Sequence, residues 1–333
     1  MKRTARAVDA HLTRSLAGSP DELYRAARHL IIHGGKRLRP YMVIKSCQML
    51  GGSVADARRA ASAVEMVHNF TLLHDDIMDN DDVRHGVPTV HKRFGVPVAI
   101  LAGDILFSKA YQTLAGRGGG RGGARPDAPK RGGQTHELVS RLASACVDVC
   151  EGQMLDIKMA EAKRLPSQKE YITMIGKKTA VLFDVSCAMG AVCAGAGASD
   201  VKNLSWFGRS LGIAFQITDD LIGVTGDASV TKKPVGNDIR EGKKSLPILM
   251  AIKASSGTKH RRIISSAFGN SRASRSMLDS AVESVRELGV EEKARKMAMR
   301  HAERARGSLA SYPNRRARKE LEALLDFVVK RSV

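Results

Sequence analysis

Aromatic residues are scarce in this chain: they make up 4% of its 333 residues, with a single Trp. Sandwich and barrel strands draw heavily on Tyr, Phe and Trp, so the shortage argues against an all-β fold. No stretch alternates with period two for long enough to make a sheet. Cysteine is also sparse. Cys47, Cys146, Cys150, Cys187 and Cys193 show no zinc spacing, and Cys146 and Cys150, four residues apart, have no His or Cys pair nearby to complete a tetrahedral site. They are expected to be free, mostly buried thiols in a reducing compartment, which points to the cytoplasm. Long hydrophobic runs are missing as well. The longest nearly uncharged run, 185–199, has 15 residues, short of the roughly 20 that span a bilayer. Residues 1–17 lack the apolar core of a signal peptide.

Acidic charge is the last shortage. Thirty-four Asp and Glu stand against 54 Lys and Arg, for a net charge of +20. That balance suggests a polyanionic partner, whether nucleic acid, phosphorylated metabolite or anionic membrane. It does not choose among them. The excess is uneven: residues 251–278 carry six basic side chains and no acidic one.

Good helix formers are abundant, and the apolar content of 43% excludes a wholly disordered chain. The pattern is helix after helix, so the fold class is all-α. Ser19-Pro20-Asp21-Glu22 reads as a helix start with Ser19 as cap. A second helix runs from near Pro40 to Leu50, stopped by Gly51-Gly52. A long one covers roughly 54–81, and another 96–114. Ser167-Gln168-Lys169-Glu170 is a second capping box. Further helices fit 134–163, 168–197, 200–224, 244–255, 273–288, 291–309 and 315–331. Run 185–199, rich in small residues, reads as a helix packed closely inside a bundle. Residues 116–133 break the pattern with GRGGGRGGARPDAPKRGG, a loop inserted in an otherwise single domain spanning 1–333.

Two acidic constellations carry chemistry. The first is Leu72-Leu73-His74-Asp75-Asp76-Ile77-Met78-Asp79-Asn80-Asp81-Asp82. Asp75 and Asp79 share one helix face, where like charges repel. A divalent cation removes that penalty, and hard oxygen ligands suit Mg²⁺ bridged to substrate phosphates. The second is Phe215-Gln216-Ile217-Thr218-Asp219-Asp220. Basic motifs alternate with these acids in the sequence: Gly34-Gly35-Lys36-Arg37-Leu38-Arg39, then Arg84, Lys177-Lys178-Thr179, Lys232-Lys233 and Lys243-Lys244. The combination describes a site for two diphosphates, one bridged by metal and one gripped by Lys and Arg.

GGKRLRP, LLHDDIMDND, GDILFSKA, EGQMLDI, KKTAVLF, FQITDDLIGVTGD and DIREGKKSLPI, in that order, resemble the trans-isoprenyl diphosphate synthases. The resemblance covers about residues 20–260 and is closest to geranylgeranyl synthases of archaeal type. It implies an isoprenoid synthase-type helical bundle around a central cavity, usually a homodimer. It implies three Mg²⁺ ions held by Asp75 and Asp79 on one side and Asp219 on the other, with Asp76 and Asp220 in support. Arg84, Lys178 and Lys233 would stabilise departing pyrophosphate, and Thr179 and Gln216 would flank the allylic cation. Lys36, Arg39 and His68 match the isopentenyl diphosphate site, and Lys243 matches another diphosphate-side lysine. The implied reaction joins isopentenyl diphosphate head-to-tail to C5–C15 allylic diphosphates.

Two departures stand out. His85 replaces a second arginine that would grip isopentenyl diphosphate, and a neutral imidazole offers one hydrogen bond rather than a charged fork. Gly223 stands where many members carry a third Asp. Phe70, about 7.5 Å up the helix from Asp75, would form the floor of the product cavity beside the small Thr71. That pattern resembles enzymes making a C20 product, with farnesyl or longer chains as alternatives. The charge suggests weak association with anionic membranes. An RNA-binding role for the Gly/Arg loop leaves the Asp clusters unexplained and lacks aromatic stacking residues, so no nucleic acid partner is expected.

Overall fold

The computed structural model describes residues 2–116, 131–226, 236–313 and 315–330. Most of the Gly/Arg segment, and Lys233, lie outside the described residues. In chain order the first helices are α1 (Lys2–Ser15), α2 (Asp21–His33), α3 (Leu38–Met49) and α4 (Val54–Met78). A hairpin of β1 (Val83–Arg84) and β2 (Val87–Pro88) follows, then α5 (Val90–Phe94), α6 (Val96–Ala115) and α7 (Arg131–Glu161). Next come α8 (Gln168–Ile175), a π-helical turn at Gly176–Ala180, α9 (Val181–Cys193) and α10 (Ala198–Thr225). The remainder is α11 (Asn237–Arg240), α12 (Leu246–Ala254), α13 (Lys259–Ala267), α14 (Arg275–Glu287), α15 (Val290–Ser308) and α16 (Arg316–Lys330).

Local chemistry explains most boundaries. The box at Ser167 forms as expected: its side chain accepts from Glu170 N, and Glu170 Oε2 accepts from Ser167 N at 2.8 Å. Ser53 and Asp56 make an unforeseen box at the start of α4. Ser19 is not a cap. Pro20 is the N-cap, with extended backbone and no side-chain cap bond, and Asp21 and Glu22 complement the positive helix end. The expected helix 168–197 is broken into α8, the π turn and α9. α1 was hidden by its polar composition. Val8 and Leu12, with Leu16 just past its end, are its buried stripe, each one turn apart.

Two compact units emerge. One comprises residues 1–146, 185–205 and 312–321, the other 147–184, 206–311 and 322–333. In the first, α4 packs on α3 and α6 and α2 packs on α6. Met42, Ile44, Met66, Leu73 and Leu106 are fully buried there, each contributing about 1.5–3 kcal/mol. Of the run 185–199, residues 185–193 are all buried, as expected of a tightly packed helix, but the helix ends at Cys193 and 194–199 are half-buried or exposed. In the second, Tyr171, Ile175, Ile217, Leu221, Ile239, Leu246, Leu278 and Val285 belong to one core. Among the described residues no helix is long and apolar enough to cross a membrane. Of the five cysteines, only Cys150 is exposed and the other four are buried.

Candidate active site

The first unit gathers cations at one place. Arg37 starts α3 with left-handed backbone, φ 51°. It is buried and donates to Asp9 at 2.7 Å, Gly34 O at 2.7 Å and Glu65 at 3.1 Å, as well as to Ile31 O. Those bonds hold the glycine turn rigid, which leaves the neighbouring Lys36 exposed and Arg39 pointing toward α4. Arg39 Nη1 donates to His68 Nε2 at 3.0 Å. Burial pulls the Arg39 pKa down to about 10. Burial, then Arg39, Arg84, His85 and Arg37, hold His68 well below the usual imidazole range, so it is neutral and accepts.

α4 delivers the acids. Its last turn carries Asp75 and Asp76, and Asp79 caps it, its amide bonded to Asp75 O. Five Asp near the negative end of a helix oppose its dipole. Arg84 offsets part of that cost by bonding Asp76 Oδ1 and, at 3.2 Å, Asp81 Oδ2. Arg84 reaches them from the β1–β2 hairpin. Its turn is His85-Gly86, with φ 53° and 79°, the left-handed pair of a type I′ turn. His85 packs against the glycine turn, its Cβ 3.2 Å from where a Gly34 Cβ would stand. Burial, with Arg84 and Arg37, lowers the His85 pKa.

The second unit builds a cavity of about 100 Å³, lined by Asp156, Tyr171, Lys178, Thr179, Gln216, Asp220 and Lys243 among others. Lys178 and Thr179 lie in the π turn, which re-aims side chains relative to a regular helix. Gly152 lets α7 approach: a methyl group there would strike the Lys178 backbone. The two lysines then part ways. Lys177 is held outside by Asp148 at 2.8 Å and by Glu151, while Lys178 bonds Asp156 at 2.6 Å on the cavity wall. Thr179 Oγ1 donates to Gln216 Oε1 at 2.9 Å, and Gln216 Nε2 donates to Asp220 Oδ1 at 2.8 Å. Tyr171 OH donates to the other Asp220 oxygen at 2.5 Å, and burial beside Asp220 raises the Tyr171 pKa far above its usual value.

Lys243 completes this side, 3.8 Å from Asp220 and 3.7 Å from Asp238. Burial opposes its charge, but Asp220 and Asp238 outweigh that and push its pKa up. Lys244 instead caps α7, donating to Met159 O at 2.6 Å and Ala162 O at 2.5 Å. Gly223 has a clear reason: any Cβ there would strike the Asp238 carboxylate.

The structure thus joins Arg39, His68, Arg84, His85 and Asp76 in one unit, with Lys36 on the adjoining turn and Asp75 and Asp79 on α4. In the other it joins Lys178, Thr179, Gln216, Asp220 and Lys243, with Asp219 adjacent on α10. Sequence reading gave no role of its own to Arg37, Asp156, Tyr171 or Asp238. Arg37, Asp156 and Asp238 stood within the motifs GGKRLRP, EGQMLDI and DIREGKK; Tyr171 left no signal. Phe70 and Thr71 lie on α4. The Phe70 ring is 4.7 Å from His74 and 5.3 Å from Phe107, and Thr71 Oγ1 bonds His68 O at 2.8 Å.

The acids suit a hard cation. Asp76 is buried, and among the described residues its Oδ2 has no hydrogen-bond partner. Among the described residues no three His, Cys, Asp or Glu side chains form a ready-made metal cage. Carboxylates in ones and twos are the donors Mg²⁺ takes when substrate phosphates complete its shell.

The helical architecture is that of the isoprenoid synthases. The polyprenyl synthetase family model matches residues 20–285, and the chain belongs to that family. It is 39% identical over 312 residues to a geranylgeranyl pyrophosphate synthase of Geoglobus acetivorans, covering 94% of this chain and 92% of that one. The geranylgeranyl pyrophosphate synthetase structure from Pyrococcus horikoshii Ot3 superposes with a TM-score of 0.89 at 35% identity, covering 99% and 97% of the two chains. A geranylgeranyl pyrophosphate synthase from Corynebacterium glutamicum, complexed with isoprenyl diphosphate and magnesium, superposes at 0.85 with 26% identity, covering 99% of each.

Proposed function

We propose that this protein condenses isopentenyl diphosphate with allylic diphosphates head-to-tail, releasing pyrophosphate and yielding geranylgeranyl diphosphate. The observation that carries the reading is the unbroken chain Thr179–Gln216–Asp220–Tyr171 beside Lys178 and Lys243 at one cavity. It sets hydroxyl and amide oxygens next to cations and an aspartate pair. A cationic carbon needs the first and a diphosphate the second.

Asp75, Asp79 and Asp219 would hold magnesium, which when bound draws charge from the allylic diphosphate as it leaves. Lys178 and Arg84, with Lys233, stabilise the same oxygens as negative charge builds. Asp76 holds the Arg84 guanidinium in place by its bond to Nε. The allylic C–O bond breaks with its electron pair on pyrophosphate. The Thr179 hydroxyl oxygen and the Gln216 carbonyl face the carbon left behind. Lys36, Arg39 and His85 hold isopentenyl diphosphate so that its double bond attacks that carbon, with His68 orienting Arg39. Loss of a proton completes a chain five carbons longer.

A homodimer fits the exposed apolar residues Val96, Ile100 and Leu101 on α6; light scattering on a sizing column tests it. The activity is tested by incubating the protein with Mg²⁺, isopentenyl diphosphate and C5, C10 or C15 primers. C20 product from each is expected. Absence of condensation with every primer refutes the reading.

A further inference from the structure

A second concavity in the unit that carries α8 and α12 shares no lining residue with the Lys178–Asp220 cavity. It is a groove of about 720 Å³. Leu165, Leu249 and Ile252 give it an apolar base, and Lys169, Lys253 and Arg261 give it charge; no acid and no aromatic ring lines it. Leu165 is a large apolar side chain left 36% exposed at its edge. Arg261 Nη1 donates to Ile252 O at 2.8 Å, which fixes that guanidinium over the last turn of α12.

The charge does not stop at the groove. α13 buries Ile264 and Ala267 and exposes Lys259, Arg261, Arg262, Ser265 and Ser266. This is the heart of segment 251–278, with six bases and no acid. Flanking acids are already paired. Glu170 is taken by Arg164 and by Ser167 N, and Asp279 by Arg275 at 3.0 Å. Nothing in the condensation reaction uses these cations.

We propose that this face seats the protein on an anionic phospholipid surface, a role that goes beyond the condensation chemistry and does not depend on it. A single small anion would occupy two or three cations. Here Lys259 and Arg262 extend the positive field beyond the groove, as a plane of headgroup phosphates requires. The apolar base accepts acyl methylenes next to those phosphates, which a purely electrostatic contact would leave unused. Single-stranded RNA is the poorer match, because its binders pair a basic groove with aromatic stacking platforms and this groove has none.

The test is flotation of the full chain with vesicles. It should float with phosphatidylcholine containing about a third phosphatidylglycerol at low salt, and stay behind with pure phosphatidylcholine. Raising the salt toward 1 M, where screening is on the order of 3 Å, should release it. Lys169→Gln/Lys253→Gln/Arg261→Gln should lower the partition coefficient on the order of a hundredfold, from about fivefold per cation. Should loss of the Arg261 bond unfold that variant, Lys169→Gln/Lys253→Gln should still lose about twenty-fivefold. Leu165→Ser should weaken binding several-fold at unchanged charge. Prenyl transfer between soluble substrates should be unaffected in all of them. No flotation, equal flotation with neutral vesicles, or wild-type flotation of these variants overturns the proposal. So does competition by poly(U) RNA that displaces the protein from vesicles at nucleotide concentrations below those of the lipid phosphate.

Discussion

Tyr171 donates its hydroxyl to Asp220 at 2.5 Å across 49 positions of sequence, while Gln216 satisfies the other oxygen of the same carboxylate. Both are needed, because Asp220 is buried and a buried carboxylate without donors is costly. The same bonds fix which way Asp220 faces Lys243. Tyr171→Phe removes one charge-assisted bond worth about 1.5–3 kcal/mol. For a chain of this size the melting temperature should drop by roughly 2–4 °C. Turnover should fall about tenfold with the KM for isopentenyl diphosphate unchanged, since the Arg39–His68 side is untouched. Calorimetry and steady-state kinetics read both. An unchanged melting temperature would mean that the bond contributes nothing.

Adjacent lysines should behave as opposites. Lys177 is a half-buried partner of Asp148 and Glu151, a contact typically worth under about 1 kcal/mol. Lys178 faces the cavity. Lys178→Ala should cost two to three orders of magnitude in kcat, the range for removing one preorganised donor to a developing oxyanion. Lys177→Ala should change kcat less than twofold. Comparable losses in the two variants would place the diphosphate elsewhere.

That pair also shows where sequence reading stops. Local signals survive folding: the Ser167–Glu170 box formed as written, and α4 began where Val54 placed it and ended three residues early at Met78. The alternation of acids and bases was legible because motif chemistry is local. Which of two neighbouring lysines faces inward was not legible from periodicity, which assumes 3.6 residues per turn where a π turn decides it; only the family resemblance singled out Lys178. Tyr171 was invisible as a site residue for a different reason, and Arg37 was legible as a cation in the glycine turn but not as its internal brace. Their partners are Asp220 and Glu65, and only tertiary packing brings such distant positions together.

His85 should make isopentenyl diphosphate binding depend on pH. Burial, Arg84 and Arg37 depress its pKa below the ordinary 6.5, so at neutral pH it is uncharged. Lowering the pH through that depressed value protonates it, and a bound diphosphate favours the cation. The KM for isopentenyl diphosphate should therefore fall as pH drops from 8 toward 5.5, by about fivefold for a hydrogen bond that gains charge. His85→Gln should lose this component, which separates it from titration of the substrate itself. His85→Arg should keep KM low across the range. Parallel profiles for wild type and His85→Gln would refute the assignment.

Product length should depend on two tiers of aromatic rings. Phe70 lies on Phe107 at 5.3 Å, and Phe107 on Tyr111 at 4.9 Å. Thr71 is folded back onto its own helix and leaves the floor to Phe70. Phe70→Ala opens the first tier only, so product should lengthen by about one isoprene unit before Phe107 stops it. Phe70→Ala/Phe107→Ala should pass that stop and give longer chains. Both rings are half-buried, so the stability loss per site should stay below the roughly 3–5 kcal/mol of a fully buried Phe. Chromatography of dephosphorylated products distinguishes the outcomes, and an unchanged C20 profile in the double variant removes both residues from the floor.

Gly223 is the most discriminating position, because motif and packing pull it in opposite directions. A third Asp on α10 looks like an added metal ligand. The space is already taken by the Asp238 carboxylate, which stands 3.7 Å from Lys243. A side chain at 223 must push Asp238 aside and so release Lys243 from one of its two counter-ions. Gly223→Ala should therefore lower activity about tenfold although it adds no charge, and Gly223→Asp should do worse, since two carboxylates would share one site. Gly223→Asp/Asp238→Gly relieves both the clash and the repulsion, and should recover much of the loss. The coupling in the double-mutant cycle should lie within the 0.5–3 kcal/mol of residues in direct contact. Gly223→Asp as active as wild type would mean that the missing third aspartate, rather than Asp238, is what the position can accommodate.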